Sequence, residues 1–192
     1  YVDLAGKHWK GWAKAGTPSV LSPGDWPADP GAGVLASIAL KVLMKVMSLA
    51  RLARPDLMWA TCQLARKVTK WDGERDRRLH RLMSYLYHTR TLIMSAVVAD
   101  GPDDIRLCLF CDADFAGDKA DSVSTTGVVL ALIGPHAFFP LAFVSKKQTC
   151  VSHSTCEAEI VALCHGLKAE GLPAMDFWEA ILQLSLGRHE HN

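Results

Sequence analysis

Two groups of residues have side chains that could carry out metal-dependent chemistry. The first is the segment CDADFAGD at 111–118, and the second runs from SKKQ at 145–148 to STCEAE at 154–159. Carboxylate oxygens are the ligands that hard cations such as Mg²⁺ prefer. Two such ions, about 3.5–4 Å apart, can align a water and stabilise the leaving oxygen of a phosphodiester. The pattern therefore indicates part of a phosphodiester-cutting site, which needs three or four carboxylates.

Asp112 is the best candidate ligand in the first group. It lies at the end of an apolar segment that reads as a β-strand over 105–111, so its side chain would stand where the strand opens to water. Asp114 would share its side of the strand if the strand continues, because side chains alternate. Asp118 follows Gly117 and is typical of a turn.

Glu159 is the best candidate in the second group. Ser154 and Glu157 have the spacing of a capping box, in which Glu157 would close back on the backbone at Ser154. Glu159 lies about 200° around the helix from Glu157 and has no such task. The alternative is that either glutamate is a solvated first-turn acid that the helix dipole favours.

The elements that must position these residues alternate between helical and strand patterns. A loop-like segment at 1–33 is followed by helices over 33–52, 57–70 and 73–88, the last two capped by Asp56 and Asp72. Strands are predicted over 93–98, 105–111, 127–133 and 137–144, the last three forming an antiparallel meander. A helix over 155–170 follows, and Gly171 and Pro173 separate it from a last helix over 174–186.

Composition is that of a soluble globular protein, with 49% apolar and 21% charged residues among 192 and a net charge of +1. The charge is uneven: residues 51–90 carry 10 Lys/Arg against 4 Asp/Glu, whereas 100–121 carries 7 Asp against two basic residues. This fits a nucleic-acid surface beside a cation site, or two solvated faces. Lys41 and Lys45 in the apolar run at 33–50 argue against a membrane span.

Six cysteines allow two rival readings, although reduced thiols in an intracellular (cytoplasmic or nuclear) protein are the default. Cys108, Cys111, His153 and Cys156 would make a zinc-binding Cys₃His set. Cys108 and Cys111, however, are three apart in a strand and would face opposite sides. A cysteine nucleophile at Cys156 or Cys164 is the weaker rival.

The order of the motifs resembles the ribonuclease H region of copia-type retrotransposon Pol polyproteins. That family shows S-D-A-D-W-A-G-D, S-T-S-G-Y, W-x-S-K-K-Q and S-S-T-E-A-E-Y-x-A-L in this order. The corresponding segments here are 111–118, 124–128, 143–148 and 153–163. Upstream, Arg54-Pro55-Asp56-Leu57 is similar to the family's T-R-P-D-I element, and 82–89 is similar to its R-x-L-R-Y-L-K-G-T helix.

The resemblance implies an α/β (α+β) ribonuclease H-like fold, a three-strand antiparallel meander followed by helices. Residues 1–90 would be the helical tail and connection region of a reverse transcriptase, and 91–192 a C-terminally truncated ribonuclease H-like domain. It also implies Mg²⁺- or Mn²⁺-dependent cleavage of the RNA strand of an RNA–DNA hybrid. Asp112 and Glu159 would be the catalytic metal ligands, and Lys146 and Lys147 would contact phosphate or form a solvated basic turn.

The chain departs from the family where the third carboxylate is expected. The family has a further strand with a C-D-N-x-S-A-like motif after the helices, whereas only GRHEHN follows the last predicted helix here. The Tyr-x-Asp-Asp motif of reverse transcriptase is absent as well. We therefore expect a piece of a Pol polyprotein with little or no nuclease activity of its own. The alternative is a non-catalytic nucleic-acid-binding module or a degenerate retroelement remnant, and zinc binding is a remote third.

Overall fold

The computed structural model describes residues 31–118 and 122–186, and the loop prediction at 1–30 lies outside these ranges. The chain divides into two compact units, and the boundary in the sequence lies between Met94 and Ser95. The first unit is helical, and the second contains a sheet and helices. No helix among the described residues is long and apolar enough to cross a membrane.

Among its described residues, from 31 onwards, the helical unit has the α-helices α1 (Ala36–Leu52), α2 (Met58–Ala65) and α3 (Gly73–His88). Short 3₁₀ turns at Pro55–Leu57 and Val68–Lys70 flank α2, so the single helix predicted over 57–70 is divided. Helix α1 packs on α2, and α2 packs on α3. Lys41 and Lys45 are exposed, as an amphipathic α1 requires, and the buried core includes Val42, Leu43, Leu57, Leu64, Leu79, Leu82 and Met83.

Two predicted helix caps have different outcomes. Asp72 caps α3 as expected, since its side chain accepts a 3.0 Å hydrogen bond from the Arg75 N–H. Asp56 does not cap α2, because its carboxylate is bound instead by Arg54 and Tyr85. Helix α1 has no local side-chain cap.

The start of α1 is held by a carboxylate from α3. Asp76 accepts hydrogen bonds from the Val34 N–H at 2.6 Å and the Leu35 N–H at 3.1 Å. It also accepts one from the Trp71 indole N–H at 2.6 Å. Unsatisfied amide groups at a helix start are thereby paired across 41 or 42 residues of sequence.

The second unit begins with an antiparallel meander of three strands, in the order β1 (Arg106–Asp118), β2 (Val123–Ile133) and β3 (Phe138–Lys147). Helices follow it, so the predicted ribonuclease H-like α+β fold class is confirmed. The strands extend beyond their predicted ends. Residues 93–98 form no strand, which corrects that prediction, and Val97 makes only an isolated bridge to Phe138.

The helices after the sheet form one uninterrupted run. Helix α4 (Thr155–Gly166) continues through a π-helical turn at Leu167–Gly171 into α5 (Leu172–Leu186). The predicted break at Gly171 and Pro173 is therefore wrong. Pro173 is the second residue after the π turn, where the hydrogen-bonding register has already changed, so its missing N–H does not end the helix.

Candidate functional site

Glycines in the helical run let α4 lie close to the sheet. A Cβ on Gly166 would lie 2.5 Å from the Cys111 Sγ and 3.3 Å from a methyl group of Val128. A Cβ on Gly171 would lie 3.3 Å from a methyl group of Leu109. Cys111 in β1 and Val128 in β2 therefore face α4, and Leu109 in β1 faces the π turn on the same side of the sheet.

Asp112 occupies the opposite face of the sheet, because successive side chains of a strand alternate. It is exposed and pairs with Gly127, which in turn pairs with Ser145. Asp114 shares this face, as predicted from the spacing. Neither carboxylate makes a hydrogen bond or an ion pair within the part of the chain that the structure describes.

The segment after Asp114 is irregular, and its residues have a structural role. The strand register shifts between Asp114 and Asp118, and Ala116 has a left-handed backbone with a φ of 50°. The Ala116 N–H donates a 3.2 Å hydrogen bond to Ser124 Oγ. A Cβ on Gly117 would collide with the Asp114 carboxylate, so glycine leaves room for that side chain.

The two lysines of SKKQ lie on different faces of the sheet. Lys146 pairs with Thr126, which belongs to the face that α4 covers, whereas Lys147 pairs with Thr125 on the other face. Thr125 also pairs with Asp114. Lys147 therefore shares a face with Asp112 and Asp114.

The first turn of α4 is capped almost as the sequence predicts. Ser154 Oγ accepts a 3.1 Å hydrogen bond from the Glu157 N–H. The Glu157 carboxylate accepts a 2.7 Å bond from the His153 N–H rather than from Ser154, one residue earlier than predicted. Glu157 is thus occupied by the cap and is distinct in role from Glu159.

Glu159 is exposed, and α4, to which it belongs, packs on β1. Burial raises the pKa of the Cys111 thiol, and the negative charge of Glu159 raises the pKa further. The charge of Glu159 therefore acts on the Cys111 thiol in β1. Cys111 lies on the face of β1 that the helical run covers, whereas Asp112 lies on the other face.

Gln148 organises this region, and reasoning from the sequence gave it no role. Its side-chain nitrogen donates to the Ala158 carbonyl at 2.9 Å and to Thr126 Oγ1 at 3.2 Å. Its backbone N–H donates to the Ser124 carbonyl at 2.9 Å. With 8% of its surface exposed, Gln148 is a buried polar residue just after a strand, and such residues need partners.

The described residues do not form a complete metal site. No group of three or more His, Cys, Asp or Glu side chains in ranges 31–118 and 122–186 could hold a metal ion. Asp112 and Glu159 are two carboxylates, whereas a two-metal site needs three or four. The Cys₃His set proposed for zinc is not formed in this part of the chain either, because Cys108 and Cys111 lie on opposite faces of β1.

The helical unit explains the Arg-Pro-Asp motif. Arg54, which is 6% exposed, donates two hydrogen bonds to the Asp56 carboxylate, at 2.9 and 2.7 Å. It also donates to the carbonyl and hydroxyl of Thr89, and Tyr85 donates to Asp56 at 2.9 Å. This cluster joins the start of the α2 segment to the end of α3.

Comparison with known proteins gives two informative similarities. Over 106 residues, or 55% of the chain, it is 36% identical to the retrovirus-related Pol polyprotein from transposon RE1 of Arabidopsis thaliana. It is 35% identical over the same length to the corresponding protein from transposon RE2. The matched region spans 7% of each relative's length. No family model and no solved structure matches the chain.

Proposed function

We propose that the chain is a segment of a copia-type retrotransposon Pol polyprotein and carries part of a ribonuclease H-like domain. The observation that supports this most strongly is the arrangement of β1, the meander and α4. Asp112 ends the apolar part of β1, and the capped helix that follows the meander brings the charge of Glu159 to the neighbouring residue. The similarity to transposon Pol polyproteins favours the same origin.

The ligand that we propose is an RNA–DNA hybrid. Residues 51–90 carry 10 Lys/Arg against 4 Asp/Glu, and Lys146 and Lys147 end β3 on the two faces of the sheet. Basic side chains bind nucleic-acid phosphates through counterion release, so binding weakens as salt rises. The remainder of a Pol polyprotein is the proposed protein partner, and an intracellular location follows from the proposed substrate.

The 192-residue chain has little or no hybrid-cleaving activity in this proposal. A two-metal site needs three or four carboxylates, whereas the proposed set contains Asp112 and Glu159 alone. Mg²⁺ or Mn²⁺ would bind productively only with further oxygen ligands. The chain's role is then to bind the hybrid, with nuclease ancestry visible in the two acidic positions.

A combined binding and cleavage assay tests the proposal. Hybrid binding is measured by fluorescence anisotropy across a salt series, and cleavage of the labelled RNA strand is followed with Mg²⁺ or Mn²⁺. We expect salt-sensitive binding without cleavage. Robust cleavage that Asp112→Asn and Glu159→Gln both abolish would overturn the inactive state and establish a nuclease.

Single substitutions measure what each basic side chain at the end of β3 contributes to hybrid binding. Lys146→Gln and Lys147→Gln should each weaken binding. Each should also reduce the magnitude of the slope of log affinity against log salt by about 1, the value for one lost phosphate contact. Lys41→Gln, at an exposed position in α1, is the control. Absence of any salt-dependent hybrid binding would contradict the nucleic-acid role.

A further inference from the structure

The segment at 91–99, which contains the sequence boundary between the two units, is apolar and exposed. It has no charged residue, no proline and no glycine. Leu92 is 57% exposed, Ile93 86% and Val97 60%. Residues 92–96 belong to no helix or strand. A contiguous run of exposed large apolar side chains is typical of a place where another macromolecule binds.

Hydrogen bonds hold the two ends of this segment but not its middle. On the side of the helical unit, the Leu92 N–H donates to the Thr89 carbonyl at 3.0 Å. On the side of the sheet, the Val97 carbonyl accepts from the Phe138 N–H at 3.2 Å. Residues 93–96 make no hydrogen bond to any described residue. Their backbone can therefore enter a binding cleft without first breaking a hydrogen bond.

Pro140 explains why the segment does not continue as a strand along β3. If the antiparallel pairing of Val97 with Phe138 continued, Ser95 would lie opposite Pro140. Backbone groups of a strand point alternately to its two edges, so those of Phe138 and Pro140 point to the same edge. Proline has no N–H, and the next bond of the ladder therefore lacks its donor.

We propose that residues 92–96 are an endoproteolytic cleavage site for an endopeptidase that prefers large apolar side chains. Both peptide bonds of Ile93 lie between large apolar side chains, because its neighbours are Leu92 and Met94. Hydrolysis adds one water across one of these bonds. The carbonyl carbon gains the oxygen and becomes a carboxylate, and the nitrogen takes up the protons and leaves as an ammonium group.

The position of the segment favours cleavage over use as a docking strand for another protein. A cut here interrupts no helix or strand, and the residues of each unit lie on one side of it. Both units should therefore stay folded after the cut, which separates the helical unit from the sheet and its helices.

Limited proteolysis of the full chain with thermolysin at neutral pH tests the proposal, because thermolysin cuts before large apolar residues. Mass spectrometry identifies the fragments. Within 31–118 and 122–186, we expect the first cut before Ile93 or Met94. The double variant I93D/M94D should slow this cut by more than about tenfold, because apolar specificity pockets reject charged side chains.

The matched control is I160D/L163D in α4, where Ile160 is 66% and Leu163 47% exposed. It should be cut at the wild-type rate, since these residues are equally apolar but lie in a hydrogen-bonded helix. Circular dichroism of both double variants before the cut, and of the wild type after it, should match that of the intact wild type.

Pro140→Ala supplies the missing N–H and should slow the cut about fivefold, the effect of one added backbone hydrogen bond on the accessible population. An unchanged rate in this variant would contradict the role of Pro140. A first cut inside a helix or strand, an unchanged rate in I93D/M94D, or loss of the circular dichroism signal with the cut would overturn the proposed cleavage site.

Discussion

The side-chain amide of Gln148 donates a 2.9 Å hydrogen bond to the carbonyl oxygen of Ala158. Gln148 directly follows β3, and Ala158 lies in the first turn of α4, so one amide joins the sheet to the start of the helix. The next residue is Glu159, the candidate carboxylate. The placement of Glu159 over β1 therefore depends on a neutral residue of the SKKQ motif.

Replacement of Gln148 by alanine should lower the free energy of unfolding by about 1–3 kcal/mol, because it leaves buried polar groups without their partner. Urea unfolding followed by circular dichroism measures the change. Gln183→Ala, at an exposed position in α5, is the matched control and should change stability by less than about 0.5 kcal/mol. Equal stability of the two variants would show that the amide does not anchor α4.

Alanine at Gly166 should destabilise the second unit, although alanine favours a helix over glycine by about 1 kcal/mol. The new methyl group would meet the Cys111 Sγ at 2.5 Å, and overpacking of this kind costs about 1–3 kcal/mol. The measurement is again the free energy of unfolding. Cys111→Ala in the same chain should recover part of the loss, whereas a purely additive double variant would contradict the close contact.

The Arg54–Asp56 pair should make stability depend on acid pH. Burial acts to raise the pKa of Asp56, but hydrogen bonds from Arg54 and Tyr85 outweigh it and hold the pKa below its usual value of 3.8. The folded state therefore binds the proton more weakly than the unfolded state. This contribution is complete above the unfolded pKa and is lost as the pH falls through the folded pKa.

Thermal unfolding of the wild type and of Asp56→Asn from pH 7 to pH 2.5 measures this contribution. The wild type should be the more stable protein near neutral pH, and the gap should close below about pH 4. Asp103→Asn, at an exposed position in the second unit, is the control. Its midpoint temperature of unfolding should change with pH as that of the wild type does. A constant gap across the range would rule out the titration of Asp56 as its cause.

Substitution of Glu157 should lower the stability of the protein, whereas substitution of Glu159 should not. Ser154→Ala removes the N-cap and should cost about 1 kcal/mol, and Glu157→Ala should also destabilise because the His153 N–H loses its acceptor. Glu159→Ala should leave the free energy of unfolding within about 0.5 kcal/mol of the wild type. A larger loss at Glu159 than at Glu157 would reverse the assignment of their roles.

The sequence predicts an element correctly where residues close in sequence determine it, through capping and the spacing of apolar residues. Helix α3 begins and ends at its predicted residues, because Asp72 supplies a cap and the apolar residues recur with helical spacing. The helical run through Gly171 and Pro173 was missed, because a π turn changes the hydrogen-bonding register just before the proline. Such turns have no clear sequence signature.

Tertiary partners were the harder part of the candidate site. Spacing alone identified Ser154 and Glu157 as the capping residues of α4. The role of Gln148 depends on Thr126 and Ala158, which lie 22 and 10 residues away, so no local rule identifies it. The face of β1 on which Asp112 lies became visible only with the glycines that bring α4 against Cys111.

The carboxylate of Asp76 has a consequence for the order in which the helical unit assembles. The amides of Val34 and Leu35, which directly precede α1, have the Asp76 carboxylate as their acceptor only when α3 is in place. Hydrogen exchange at these two amides should consequently follow the opening of the α1–α3 contact rather than fraying of a helix end. One side chain thus couples the earliest turn of the described chain to cooperative unfolding of its helical unit.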